Sequence, residues 1–308
     1  MNPLVYAMPG NEAFAQRLCA TWPADTGALA ARRFPDGESL VRLDTAPRGR
    51  DAALVCTLHQ PDAQVMPLLL AADTARELGA RSVGLVAPYL AYMRQDRAFH
   101  SGESKSAAHF ARLLSDHFDW LVTVDPHLHR FHSLDEIYSI PAGTVAAAPL
   151  LARWIADNVE RPLLIGPDAE SRQWITAVAA GADLPWCVLD KIRGGDRQVE
   201  IGVPDLTAWA GHTPVLADDI ISSGGTMIEV IAQLRARRLP PPVCLAVHAV
   251  FAQWAWWSLM EAGAGQVVTT NTIVHASNGI DVSAAVAAEG RDLLARLPLR
   301  RAGKAAVS

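Results

Sequence analysis

The stretch Val215-Leu216-Ala217-Asp218-Asp219-Ile220-Ile221-Ser222-Ser223-Gly224-Gly225-Thr226 decides the fold class of this chain and points to its chemistry. An apolar strand runs into two adjacent carboxylates, then into hydroxyls and glycines, with a helix expected from about Thr226. Glycines let the backbone approach an anion closely, and a helix N-terminus directs unpaired N–H groups and partial positive charge at it. Ser222, Ser223 and Thr226 add hydroxyl donors. Asp218 and Asp219 cannot favour a phosphate; ionised carboxylates only accept hydrogen bonds, and vicinal sugar hydroxyls offer two donors. A ribose carrying a 5-phosphate satisfies both halves of the loop. The bland alternative is a strand-to-helix turn with an N-cap, which needs only one capping residue and fewer glycines than stand here.

Outward from this loop, short apolar runs alternate with helical patterns. Strands are expected at 53–58, 82–87, 120–124, 162–165, 185–189, 214–217, 243–250 and 266–270, and helices at 65–78, 104–117, 169–180 and 226–238. That alternation predicts an α/β protein with mainly parallel sheets. Eight strands could also close a barrel, but the loop sits two strands from the end and the spacing before it is uneven. Two tandem domains are therefore expected, each an open, mainly parallel sheet flanked by helices: 1–145 and 146–300, followed by a flexible tail at 301–308.

The chain has 308 residues, 50% of them apolar, and a net charge of −5, which argues against a broad nucleic-acid-binding surface but not against a nucleotide substrate. Cys19, Cys56, Cys187 and Cys244 are widely spaced with no C-x-x-C pair, so neither a disulfide framework nor a zinc ribbon is indicated. The first residues lack a basic segment followed by an apolar core, and no charge-free apolar run reaches membrane-spanning length. A cytoplasmic protein with no membrane partner is expected. Trp154, Trp174, Trp209, Trp254, Trp256 and Trp257 are read mostly as core and subunit contacts.

Four further clusters, and a basic segment between the last of them and the loop, carry polar residues that an α/β sheet could present at its binding edge. Phe34-Pro35-Asp36-Gly37-Glu38 is either a surface turn or an aromatic platform with carboxylates that reads a nucleobase. In the loop after the strand at 82–87, Arg94, Gln95, Asp96 and Arg97 suggest bidentate phosphate contact, or a solvated charged loop; the helix behind it is entered through Ser101-Gly102-Glu103-Ser104. His127, His129 and His132 have the spacing of a binuclear metal centre, but Phe131 stands where an acid would be needed, which leaves one histidine acting with magnesium or ATP phosphates, or a pair of solvated histidines. Asp168, in Gly166-Pro167-Asp168, suits helix capping and Mg²⁺ ligation equally. Finally, Lys191-Ile192-Arg193-Gly194-Gly195 reads as a basic flap that could neutralise charge in phosphoryl transfer, or as an exposed hairpin turn.

In this order the clusters resemble the ribose-phosphate diphosphokinase family, and the Asp218–Thr226 loop is similar to the diphosphate-sugar loop of the phosphoribosyltransferase superfamily. The likeness spans residues 34–272 and includes His248-Ala249-Val250-Phe251 and Thr270-Asn271-Thr272. Ser222, where many members carry Asp, and Pro167-Asp168-Ala169-Glu170-Ser171 resemble the family's archaeal-like branch. The resemblance implies two phosphoribosyltransferase-like domains in a homo-oligomer. It assigns Phe34, Asp36 and Glu38 to adenine from a neighbouring subunit, Arg94, Gln95 and Asp96 to ATP, and His127 and Asp168 to Mg²⁺ bridging the ATP phosphates. Lys191 and Arg193 become catalytic, and Asp218, Asp219, Ser222, Ser223, Gly224, Gly225 and Thr226 hold ribose 5-phosphate. Two rivals are a phosphoribosyltransferase, which would have no use for the ATP-side clusters, and a non-catalytic regulatory homologue.

Overall fold

The structure, a computed structural model, describes residues 1–98, 100–128, 130–194, 198–202 and 209–297. The chain divides into two compact units: Met1–Val145 together with the segment from Ser283, and Ala146–Val282.

The first unit begins with β1 (Leu4–Ala7), α1 (Glu12–Thr21), β2 (Asp25–Gly27), β3 (Leu29–Arg33), β4 (Ser39–Leu43) and β5 (Asp51–Val55). It continues through α2 (Asp62–Glu77), β6 (Ser82–Ala87), α3 (Ser106–His117), β7 (Trp120–Val124) and β8 (Ala142–Val145). Six strands form a sheet of order β2-β1-β5-β6-β7-β8 in which every pair is parallel. β5, β6 and β7 are buried at every position because helices cover both faces, so their sequences read as continuous apolar runs. Gly84 in β6 lies against the Trp120 ring, where an added Cβ would sit 1.8 Å from the indole. β3 and β4 stand apart as an antiparallel hairpin.

The second unit comprises α4 (Ala148–Asn158), β9 (Pro162–Gly166), α5 (Arg172–Ala180), β10 (Trp186–Val188), β11 (Asp190–Gly194) and β12 (Gln198–Gly202). After these come β13 (Thr213–Ile220), α6 (Gly225–Ala236), β14 (Val243–His248), α7 (Ala255–Ala262), β15 (Gln266–Thr270) and β16 (Asn278–Ile280). Its sheet, β10-β9-β13-β14-β15-β16, is again parallel throughout, and β11 and β12 form a separate antiparallel hairpin. The two units thus repeat one plan. In each, the first two sheet strands lie side by side, a hairpin follows, and the third strand joins the first on its free side.

Several expectations change. The second domain was expected to run to 300, but α8 (Ser283–Arg296) belongs to the first unit. Gly290 leaves room for Trp22, since a Cβ there would lie 2.7 Å from the ring, and Arg291 Nη1 donates to the Thr21 carbonyl at 3.4 Å. α3 starts at Ser106, past the expected entry, with Lys105 at its N-cap and no side-chain cap. Of the six tryptophans read as core and subunit contacts, Trp209 and Trp256 pack partly buried against the second unit's core, while Trp254 and Trp257 are 67% and 57% exposed; Trp22 and Trp120 are buried in the first unit. The expected tail, 301–308, lies outside the described residues. All four cysteines are free; burial pushes the Cys56 and Cys244 thiols up to about 12. Among the described residues no helix is long and apolar enough to cross a membrane.

Candidate active site

In a parallel sheet of this order the strand sequence reverses between the first and third strands, and the loops at their C-terminal ends part to leave a crevice. In the second unit those strands are β9 and β13. The loop after β9 carries Asp168, and β13 carries Asp218 and Asp219 near its end.

Asp218 is pushed up to about 8, first by burial, then by the neighbouring Asp219 charge, with Asp168 adding to the rise. A hydrogen bond from the Asp219 N–H to Asp218 Oδ1, at 3.0 Å, works in the opposite sense. The two loops flanking the crevice therefore bring three carboxylates within reach of one another. Such a group lowers its free energy by taking up a proton, hydrogen-bond donors or a cation.

Asp168 also acts as a local cap. Its Oδ1 accepts from the Ser171 N–H at 3.2 Å, and its carbonyl accepts from Ser171 Oγ at 2.6 Å. A carboxylate has acceptor capacity beyond one such bond, so capping does not exhaust Asp168.

Beyond β13 the loop Ser222–Gly225 turns into α6. Gly224 is the N-cap residue and has φ +73°, a left-handed conformation that glycine adopts without a Cβ clash. Ser223 Oγ accepts from the Gly225 N–H at 3.4 Å, and the N-cap residue, a glycine, has no side chain to cap the helix. The first-turn N–H groups of a twelve-residue helix are thus presented at the loop.

The loop is anchored from the next strand. The Ile221 N–H donates to the His248 carbonyl at 3.3 Å and the Ala252 N–H donates to the Ser222 carbonyl at 3.0 Å. His248 is 1% exposed, and its Nδ1 lies 2.9 Å from Thr272 Oγ1. Thr270 Oγ1 and Thr272 Oγ1 both donate to the Val247 carbonyl. Sequence reasoning gave His248 and the two threonines no role of their own; the available signal was a histidine closing the apolar run at 243–250.

Lys191 and Arg193 occupy alternate positions of β11, opposite Ile201 and Val199 of β12. The flap is therefore a β-hairpin, and Gly195, Asp196 and Arg197 lie outside the described residues.

In the first unit, Phe34–Glu38 forms the tip of the β3–β4 hairpin. The Phe34 N–H donates to the Glu38 carbonyl at 2.8 Å, and Asp36 Oδ1 accepts from the Glu38 N–H at 3.0 Å. The Arg32 guanidinium stacks over the Phe34 ring, 4.5 Å from its centroid. Arg94, Gln95 and Asp96 follow β6, where Tyr92 takes φ +64° and its carbonyl accepts from the Gln95 N–H. His127 follows β7, just past Asp125 at φ +30°. Non-glycine residues in this region carry strain that surrounding structure must hold, and both lie at the sheet's C-terminal edge. Arg130 Nε sits 3.9 Å from Asp96 Oδ2, joining the β6 and β7 loops. His129 lies outside the described residues. His127 belongs to the first unit and Asp168 to the second.

Residues 4–117 match the family described as the N-terminal domain of ribose phosphate pyrophosphokinase, and residues 133–279 match the phosphoribosyl transferase domain. A ribose-phosphate pyrophosphokinase of Methanopyrus kandleri is 32% identical over 286 residues, covering 92% of this chain and 97% of the relative. One of Halobacterium salinarum is 34% identical over 282 residues, covering 90% and 96%. The crystal structure of phosphoribosylpyrophosphate synthetase from Mycobacterium smegmatis superposes with a TM-score of 0.84 at 25% identity, over 96% of this chain and 99% of that one. With both halves matched and the sheet plan shared, the chain belongs to the ribose-phosphate pyrophosphokinase family and is an enzyme of that family.

Proposed function

We propose that this chain transfers the β,γ-diphosphoryl group of ATP to the 1-hydroxyl of ribose 5-phosphate, giving phosphoribosyl diphosphate and AMP, with the residues assigned as follows. The observation that carries the assignment is the switch-point crevice of the second unit, where buried, mutually repelling carboxylates adjoin a helix N-terminus whose N-cap is a glycine. The phosphate of ribose 5-phosphate takes the N–H groups of Gly224, Gly225 and Thr226 and the hydroxyls of Ser222 and Ser223. Asp218 and Asp219 accept the 2- and 3-hydroxyls, which orients the 1-hydroxyl.

In the first unit, Arg94 and Gln95 hold ATP phosphates, with Asp96 fixing the loop through Arg130. Phe34 stacks on adenine while Asp36 and Glu38 accept from its exocyclic amine, offered across a homo-oligomer by the neighbouring subunit's hairpin. The isolated β3–β4 ribbon, paired with no other strand of its own unit among the described residues, suits that reach.

The acidic set fits magnesium by donor chemistry, since hard carboxylate oxygens are its preferred protein ligands and a dication would favour the ionised Asp218 that burial and the Asp219 charge oppose. Asp168 is the second unit's residue assigned to the ion; His127 is assigned to the ATP phosphates held in the first unit. When bound, the ion offsets charge on the phosphoryl oxygens. The protein's own part is to align the 1-hydroxyl with the β-phosphorus and to set Lys191 and Arg193 against the negative charge that spreads as AMP departs.

Phosphorus NMR of the chain with ATP, Mg²⁺ and ribose 5-phosphate tests this directly. Equal growth of AMP and phosphoribosyl diphosphate is expected. ATP that stays intact in a sample binding both substrates would make the chain a regulatory homologue.

A further inference from the structure

The repeated plan gives the first unit a switch-point crevice of its own, between β1 and β5, and that crevice contains a cavity of about 260 Å³. Its walls come from the loop after β1 (Met8, Pro9), the end of β5 and start of α2 (Cys56, Ala63, Gln64, Pro67) and the hairpin (Ala31, Arg32, Arg33, Ser39). No residue assigned to ATP or ribose 5-phosphate lines it.

The crevice is preformed. Asn11, 5% exposed, stitches its two sides together: Oδ1 accepts from the Thr57 N–H at 2.7 Å, and Nδ2 donates to the Met8 carbonyl at 3.2 Å and the Pro9 carbonyl at 3.3 Å. Gln64 is held as well, by its bond to the His59 carbonyl and by Cys56 Sγ at 3.3 Å from its Oε1.

The lining divides by chemistry. Met8, Pro9, Ala31, Cys56, Ala63 and Pro67 make an apolar floor and sides. The hairpin contributes two arginines that have no carboxylate partner among the described residues: Arg32 stacks on Phe34, and Arg33 donates from Nε to the Gly37 carbonyl at 3.0 Å. A guanidinium has five N–H donors, so both retain donors for an anion. Unlike the second unit's crevice, this one has no acidic group and no glycine loop: the segment after β5 reads Cys56-Thr57-Leu58-His59-Gln60-Pro61. It is built neither for a sugar diol nor for a divalent cation.

We propose that the switch-point crevice of the first unit is a second binding site, for a small molecule with one flat apolar ring and one anionic group, a phosphate monoester or carboxylate. The ring lies on the apolar floor and the anion meets Arg32 and Arg33 at the hairpin wall. The volume admits one ring system with its anion and is too small for a dinucleotide.

Ligand-observed fluorine NMR on the full chain tests this. The probes are 4-fluorophenyl phosphate and 4-fluorobenzoate, with 4-fluorobenzyl alcohol as the neutral counterpart. Saturating ribose 5-phosphate and the non-cleavable α,β-methylene analogue of ATP occupy the reaction site, so success or failure here is read separately from the proposed reaction. The anionic probes should bind at least about tenfold more tightly than the neutral one, the scale of one charge-assisted contact. Ala63→Trp, at an exposed first-turn position of α2, should fill the crevice and weaken anionic-probe binding about tenfold or more while leaving turnover intact. The Arg32→Gln, Arg33→Gln double variant should bring the anionic probes down to the neutral level, and it carries the test alone should Ala63→Trp fail to fold. Equal binding of anionic and neutral probes, or anionic binding indifferent to these substitutions, overturns the proposal. Whichever of the two anions binds better tells phosphate from carboxylate.

Discussion

Asp218 ties the chemistry of the site to pH. Its carboxyl is raised to about 8 in the folded chain from an ordinary value of 3.8, so between those values the folded state holds a proton that the unfolded state has released. Stability of the free protein from this group is therefore fully present below about 4 and is lost as pH rises through about 8. Asp218→Asn removes that loss, and its melting temperature at pH 8.5 should exceed that of the parent chain by a few degrees, by differential scanning calorimetry without ligands. Only the ionised carboxylate accepts both sugar hydroxyls, so the KM for ribose 5-phosphate should fall between pH 6.5 and 8.5; a KM flat over that range would remove Asp218 from the sugar site. Lys191 is a simpler case. If it meets charge that develops only during transfer, Lys191→Ala should lower kcat by about two to three orders of magnitude and leave ribose 5-phosphate affinity within a few-fold. Isothermal titration beside steady-state rates separates the two, and an unchanged kcat would strike Lys191 from the catalytic set.

The elements show which parts of the design were legible and which were not. β6, β7, β13, β14 and β15 announce themselves because strands buried on both faces are plain apolar runs, and the Asp218–Thr226 loop because glycines and acids crowd where a turn needs few. β2 and β16 have three residues each, below the length at which any period can be read, and β10, equally short, showed only as the apolar run at 185–189. The β3–β4 hairpin was seen only as the turn at its tip. Its strands, Leu29–Arg33 and Ser39–Leu43, are half-exposed and carry three arginines, so neither a core run nor a clean alternation marks them. The tryptophans divide: Trp209 and Trp256 pack on the core, whereas Trp254 and Trp257 open and enter a helix whose buried residues are Ala255 and Leu259. Gly224 is the place where element geometry bears most directly on binding. Gly224→Ala forces a Cβ into a left-handed position at a cost of about 1–2 kcal/mol and places it 3.4 Å from Leu259 Cγ. The α6 N-terminus should shift, and the KM for ribose 5-phosphate should rise about tenfold with the KM for ATP held; equal KM values would show that α6 does not present the phosphate site.

Over the whole molecule, two parallel sheets of identical strand order, each with a hairpin inserted at the same place, describe one unit used twice. A linear pattern gives strands but not their order, because order depends on contacts between distant segments; the division near residue 145 was visible as a break in pattern, whereas the return of α8 was not. That return makes Gly290 a test at this scale. Gly290→Val drives a side chain into Trp22, a clash of the overpacking kind worth about 1–3 kcal/mol. The first unit should lose protection in hydrogen exchange along α1 and β8 while β9, β13 and β14 keep theirs; uniform loss across both sheets would mean that the units do not unfold separately.

The placement of α8 also bears on how the chain is made. Synthesis proceeds from the N-terminus, so Trp22 and the α1 flank emerge early and stay bare on the ribosome until α8 has followed the entire second unit out, whereas Ala146–Val282 is contiguous. The half that is translated first is thus the half that finishes last. Limited proteolysis of chains that end at Val282 and are stalled through an appended linker long enough to fill the tunnel should cut the first unit and spare the second; equal resistance of both would show that the early half matures without its closing helix.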